Sequence, residues 1–200
     1  MLPDLITKKI PPQKRINKTD GEFERVMPEA AIMLAFAFYI FQQNGNIGEV
    51  KIHPDGEHIK QFDIRNWLEQ NGFEKRGNLG KTAYGGVYVR ANITIRVFPK
   101  SGVADVSGFI GDSRIVAECK GGVINTKHSG QQSKLRRGLC EAVAILLARP
   151  LASERQVAVA PKTAVTSRLA KAIAHRANRA GIEIALIDEF GDIDFIASQV

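Results

Sequence analysis

The sequence predicts an α/β fold: a mixed central sheet of about five strands flanked by helices, with an extra helix at the amino end. Three observations carry this expectation. Apolar residues alternate with period two over Val87–Phe98 and on either side of Gly111-Asp112-Ser113, as in strands. Leu135, Leu139, Val143 and Leu146 recur at helical spacing with Ala142 alongside. Past residue 155 the pattern runs strand, helix, strand, which requires a parallel pair beside the antiparallel strands.

In chain order, residues 1–20 carry Pro3, Pro11, Pro12 and scattered Lys without periodicity, and read as a basic flexible arm. Residues 21–53 read as a helical extension. Pro28 and Glu29 open its helix, Asn44-Gly45 stops it, and apolar residues on nearly every side predict burial all round. Residues 54–200 form the main domain. A helix is expected from about Glu57 to Asn71, a loop at Gly77–Gly86 and a half-exposed strand at Val87–Phe98 that pairs with the next strand through Pro99–Gly102. Two short runs, Ala104–Ile110 and Arg114–Lys120, then make a hairpin. A helix over roughly Gly130–Arg149 follows, then a strand at Gln156–Ala160, a helix at Thr163–Arg179 with Val165, Leu169, Ala172, Ile173 and Ala177 inward, and a last strand at Ile182–Ile187.

Composition bounds the function. The formal charge is +7, and its distribution is uneven. Residues 127–180 hold eleven Lys and Arg against two Glu, whereas residues 181–200 hold five acids and no Lys or Arg. A basic block of this kind suits a polyanion, although a solvated surface has the same composition. The longest apolar run, Ala30–Phe41, is twelve residues where a membrane span needs ~20. No membrane association is expected. Two cysteines without C-x-x-C spacing point to a reducing, cytoplasmic setting and no zinc site. His53 and His58, with Asp55 between them, have no recognised ligand spacing.

The chemistry lies in the hairpin. Arg114, Val116, Glu118 and Lys120 share one face of its second strand, and Ile115, Ala117 and Cys119 the other. Charged side chains at the end of an otherwise apolar strand require a partner or a ligand. Asp105, at the start of the first strand, faces that end. Two converging carboxylates make an oxygen site for a hard cation such as Mg²⁺, and Gly121-Gly122 beyond them admits a phosphate backbone closely. The bland reading is Asp105 in a turn and a solvated edge pair at Glu118 and Lys120.

Asp105 followed after the hairpin by Glu118-Cys119-Lys120 resembles the PD-(D/E)XK nuclease superfamily, without its proline, since Ala104 precedes Asp105. The resemblance covers residues 54–188. It implies a restriction-endonuclease-like core and metal-dependent hydrolysis of DNA phosphodiester bonds, of restriction or repair type. Asp105 and Glu118 would then bind Mg²⁺, for which Mn²⁺ substitutes, and Lys120 would be the catalytic lysine. An acid on the helix before the sheet is expected to complete the site; Glu57 takes that place, with Glu29 next in line, and a favourable charge at a helix start explains Glu57 equally well. Gln131, Lys134, Arg136 and Arg137 at the start of one helix, and Arg168 and Lys171 on the next, would hold the backbone or stand as ordinary solvated faces. A homodimer through the apolar helix at 30–41 would suit double-strand cutting. Two alternatives remain open: a nuclease-fold module that binds nucleic acid or protein without cutting, and an unrelated α/β enzyme on a small acidic or phosphorylated substrate. Neither a P-loop nor G-x-S-x-G supports the latter.

Overall fold

The computed structural model describes residues 2–149 and 153–197. In chain order its elements are β1 (Thr7–Lys9), a 3₁₀ helix (Gln13–Lys18), β2 (Glu24–Met27), α1 (Glu29–Gln43), β3 (Gly48–Ile52), α2 (Gly56–Gln61), α3 (Ile64–Gln70), β4 (Glu74–Asn78), β5 (Gly86–Arg90), β6 (Ile93–Val97), β7 (Val106–Ile110), β8 (Ser113–Cys119), β9 (Gly122–Val123), α4 (Ser129–Leu147), β10 (Arg155–Pro161), α5 (Ala164–Arg179), β11 (Ile182–Ile187) and β12 (Ile193–Phe195). The fold is mixed α/β, but the central sheet has nine strands rather than about five, in the order β12-β11-β10-β8-β7-β3-β6-β5-β4. A second sheet, β1-β2-β9, joins the amino end to the chain just past the hairpin.

The helix expected as an extension is the centre of the core. Eleven residues of α1, from Ala30 to Phe41, are buried, including Phe36, Phe38, Ile40 and Phe41. Pro28 precedes it without a capping side chain, so packing and not capping holds it. Each buried Phe, Leu, Ile or Met contributes about 1.5–3 kcal/mol. Its surroundings are the inner faces of β3, β7, β8 and β10, through Val50, Ile52, Val106, Ile115, Ala117, Cys119, Val157 and Val159. That burial leaves α1 no free apolar face for the homodimer expected through it. The arm is docked as well: Leu5 is buried, and Trp67 Nε1 donates to the Pro3 carbonyl at 2.9 Å. The boundaries at 20/21 and 53/54 thus cut through continuous packing.

The strand expected over 87–98 is a hairpin. Ala91, at φ 50°, and Asn92 turn the chain, so Tyr88 pairs with Ile95 and faces the core while Val87 lies opposite Arg96. Unbroken alternation disguised this because the turn itself has two residues. β6 does not pair with β7; it lies parallel to β3, and β3 is antiparallel to β7. The helix expected at 57–71 is two short ones, since Phe62 is extended and Asp63 caps the second by accepting from Asn66 N at 3.0 Å. On α5 the buried stripe is Thr166, Ala170, Ala174 and Ala177, rotated from the expected one because the small residues allow close approach to the sheet. With α2 to β6 and the two-residue β9 set aside, the central order is α1, β3, β7, β8, α4, β10, with β10 parallel to β8. Among the described residues no helix is long and apolar enough to cross a membrane.

Candidate active site

The site forms where β8 ends and β7 begins. Val106 pairs with Ala117, so Asp105 falls opposite Glu118. The Asp105 carboxylate accepts from the Cys119 amide at 2.8 Å, which fixes it across the strand end. Glu118 is 7% exposed. Its Oε1 lies 4.0 Å from Nη1 of Arg149, whose Nη2 pairs with Glu154 at 2.8 Å and whose Nη1 also donates to the Val103 carbonyl. One guanidinium therefore ties the approach to β7 and both buried glutamates together.

Burial raises the pKa of Asp105 above the usual carboxylate range; the Cys119 amide opposes this, and the Glu29 charge adds to it. Burial and then the Asp105 charge push Glu118 up to about 7, against Arg149 and Lys120. Two such carboxylates side by side are costly to ionise together, and a cation between them would remove that cost. Lys120 follows on the same face, with its stem over Gly138 of α4, where an added Cβ would lie 3.2 Å from its own Cβ. Its Nζ is 2.9 Å from Glu141. Burial lowers its pKa, but the hydrogen bond it donates to Glu141 and the charges of Glu29, Glu141 and Asp105 outweigh that, and the net shift is upward. Lys120 is thus an ammonium at neutral pH.

The acid that stands beside Lys120 is Glu29, in the first turn of α1; its charge also reaches Asp105. It lines a cleft of about 320 Å³ with Lys120, Gly121, Lys134, Arg137, Gly138 and Glu141. His58 on α2 holds it: Nε2 is 2.9 Å from Glu29, while Nδ1 accepts from the Asp55 amide at 3.3 Å. The hydrogen bond it donates to Glu29 raises the His58 pKa against the opposing effect of burial. Glu57, the expected acid, stands on solvent with its side chain 73% exposed and paired with Lys60 at 2.5 Å. The helix that carries it contributes His58 instead.

Gly121 and Gly122 admit the protein's own chain rather than a phosphate. A Cβ on Gly121 would sit 2.5 Å from the Met27 carbonyl and 2.7 Å from Glu29 N, and one on Gly122 would meet Leu135 at 2.6 Å. That close approach is what brings the start of α1 beside Lys120. Of the expected backbone-binding residues, Lys134 and Arg137 line the cleft. Gln131 and Arg136 lie on the same first turns of α4, Arg136 donating to Ser133 Oγ at 3.0 Å. Arg168 and Lys171 are exposed on α5, and Lys171 lines a separate groove with Ile193–Ala197 at the β12 edge. His53 is structural: it stacks on Phe98 at 5.0 Å, and its Nδ1 meets the Lys100 carbonyl at 2.9 Å.

The chain matches no protein-family model, no curated protein and no solved structure. The donor set suits a hard cation in kind, since Asp105 and Glu118 present neighbouring carboxylate oxygens that burial disfavours as free anions. In number it is small: among the described residues no three His, Cys, Asp or Glu side chains gather as a metal-binding group. An ion there would complete its shell with water or substrate oxygens, as Mg²⁺ does. Glu29, His58 and Arg149 are residues around the candidate site that motif spacing alone does not single out. The Glu29 signal in the sequence is its place at the start of a helix; His58 and Arg149 have none.

Proposed function

We propose that this chain is a metal-dependent endonuclease that hydrolyses phosphodiester bonds of DNA. The observation that carries the reading is the placing of Asp105, Glu118 and Lys120 at one strand end, with Glu29 brought by α1 into the cleft that Lys120 lines. The order α1-β3-β7-β8-α4-β10 supports it: a helix, three strands, a helix and a strand, as in the core of the PD-(D/E)XK nucleases that the motif resembles, but begun by α1 and not by the helix expected at residues 57–71. Asp105 and Glu118 would hold Mg²⁺ or Mn²⁺, which when bound supplies Lewis-acid polarisation of the scissile phosphate and its water.

The protein's own groups do the rest. Lys120, an ammonium, is no base; it orients the attacking water and offsets the charge that builds on the phosphate. Glu29, aimed by His58, accepts a hydrogen bond from that water. Arg149 fixes Glu118 against Asp105 and keeps its carboxylate charged part of the time at neutral pH. Lys134 and Arg137 hold the neighbouring phosphates at the rim of the cleft.

The test is incubation of supercoiled and linear DNA with the protein in Mg²⁺, Mn²⁺ or EDTA, beside Lys120→Ala. Metal-dependent cutting is expected, reduced by about 10²–10³-fold in the variant, with DNA binding largely retained. Salt-sensitive binding without cutting in any metal would replace this reading with a non-cleaving nucleic-acid module. Absence of both would return the chain to the small-substrate class.

A further inference from the structure

Lys134 and Arg137, on the first turns of α4, line the cleft, and exposed lysines continue before the helix. Lys127 lies two residues before the helix, and its amide donates to the Lys18 carbonyl at 2.7 Å. Thr19 bridges Thr126, and the Asp20 amide donates to the Asn125 carbonyl at 2.9 Å. These bonds fasten the 3₁₀ helix Gln13–Lys18 to the start of α4.

No residue of that 3₁₀ helix is buried, so hydrophobic burial does not explain its place. It is held by polar anchors. Arg15 reaches Glu24, which is 3% exposed, through bonds of 2.5 and 3.0 Å, and Thr19 Oγ1 donates to the Arg15 carbonyl at 3.0 Å. Lys127 is neutralised by Asp20 at 2.6 Å. Lys14 and Lys18 are exposed and, among the described residues, take part in no ion pair, as is also true of Lys134 and Arg137. An ordered turn with no buried residue that presents uncompensated cations has the character of a contact surface for a polyanion.

We propose that Lys14 and Lys18 extend the binding face of Lys134 and Arg137 and contact backbone phosphates of duplex DNA on one side of the scissile step. The proposal rests on the nuclease reading of the cleft. At a rise of about 1.5 Å per residue the way from Arg137 back to the start of α4 is roughly 12 Å. With ~3.4 Å per base pair, the 3₁₀ helix meets phosphates about four or more base pairs from the cut. The expected footprint is therefore lopsided, reaching further on the side of the amino-terminal turn.

The test measures binding of a ~30-base-pair duplex in EDTA over a range of salt, for wild type, Lys14→Ala/Lys18→Ala, and Lys81→Ala on the distant β4–β5 loop. Each lost phosphate contact makes the slope of log affinity against log salt shallower by about 0.9, so the double variant should lose roughly two while Lys81→Ala matches wild type. With Mg²⁺, the double variant should show a raised KM and an unchanged kcat. Equal slopes for wild type and the double variant, with cutting intact, would overturn this surface and leave the nuclease reading standing. A shallower slope without cutting in any metal would keep the surface and remove the nuclease. No binding by wild type would remove both.

Discussion

Replacing Glu118 by Gln should stabilise the metal-free protein above neutral pH. A carboxyl whose pKa folding has raised contributes stability in full below its unfolded value and loses it as pH climbs through the folded value. For Glu118 that window runs from 4.5 to about 7. Taken whole, a shift of that size corresponds to about 3 kcal/mol; relaxation and screening by neighbouring charges and solvent reduce this to about 1–2 kcal/mol. The amide removes the repulsion with Asp105, and Arg149 keeps Glu154 and the Val103 carbonyl as partners, so no charge is left unpaired. For a chain of this length the gain amounts to roughly 3–6 °C in Tm. Thermal melts in EDTA at pH 5 and pH 8.5 would read it. Wild type should lose stability between the two, and Glu118→Gln should lose less and melt higher at pH 8.5. Added Mg²⁺ should raise the wild-type Tm at pH 8.5 and do little for the variant. A variant that melts below wild type at pH 8.5, or follows the same pH slope, would refute the account of two mutually disfavoured carboxylates.

Two further outcomes follow from the same geometry. Glu29→Gln should lower cleavage by about 10²-fold or more while Glu57→Gln leaves it near wild type; nicking rates at saturating Mg²⁺ compare them, and equal losses would return the missing acid to α2. Gly121→Ala should destabilise by about 1–3 kcal/mol, because its methyl would meet the Met27 carbonyl and the Glu29 amide; urea melts measure it, and an unchanged midpoint would contradict the close packing of the two chains.

The hairpin and its three charged residues were legible because they depend on local rules. Period-two alternation and a Gly-Asp turn set which side chains share a face, and Gly111 adopts φ 57° as such a turn requires. The α4 stripe was legible for the same reason. The acid was harder, because the helix before the sheet is defined by topology and not by sequence distance. About fifty residues, from His53 to Asp105, separate β3 from its partner β7, and any helix within them looks equally close to the site. The turn at Ala91-Asn92 was hidden for a different reason, since a non-glycine residue at positive φ carries no composition signal. In the small sheet of β1, β2 and β9, the pairing of β2 with β9 joins residues almost a hundred apart, which no local pattern records.

The β4–β6 insertion bears on how the molecule avoids its own kind. Without it β3, an alternating Gly-Glu-Val-Lys-Ile strand, would end the sheet with a row of unpaired amides and carbonyls next to a large apolar core. β6 covers that row in parallel register from Gly48 to Ile52. The border it creates in exchange, β4, carries Glu74, Lys75 and Arg76 and breaks register between Lys75 and Gly77. A short, charged and bulged border is a poor template for a stranger's strand. With β6 on β3 and the bulged, charged β4 outermost, the sheet ends on this side without a long, flat, unpaired apolar border.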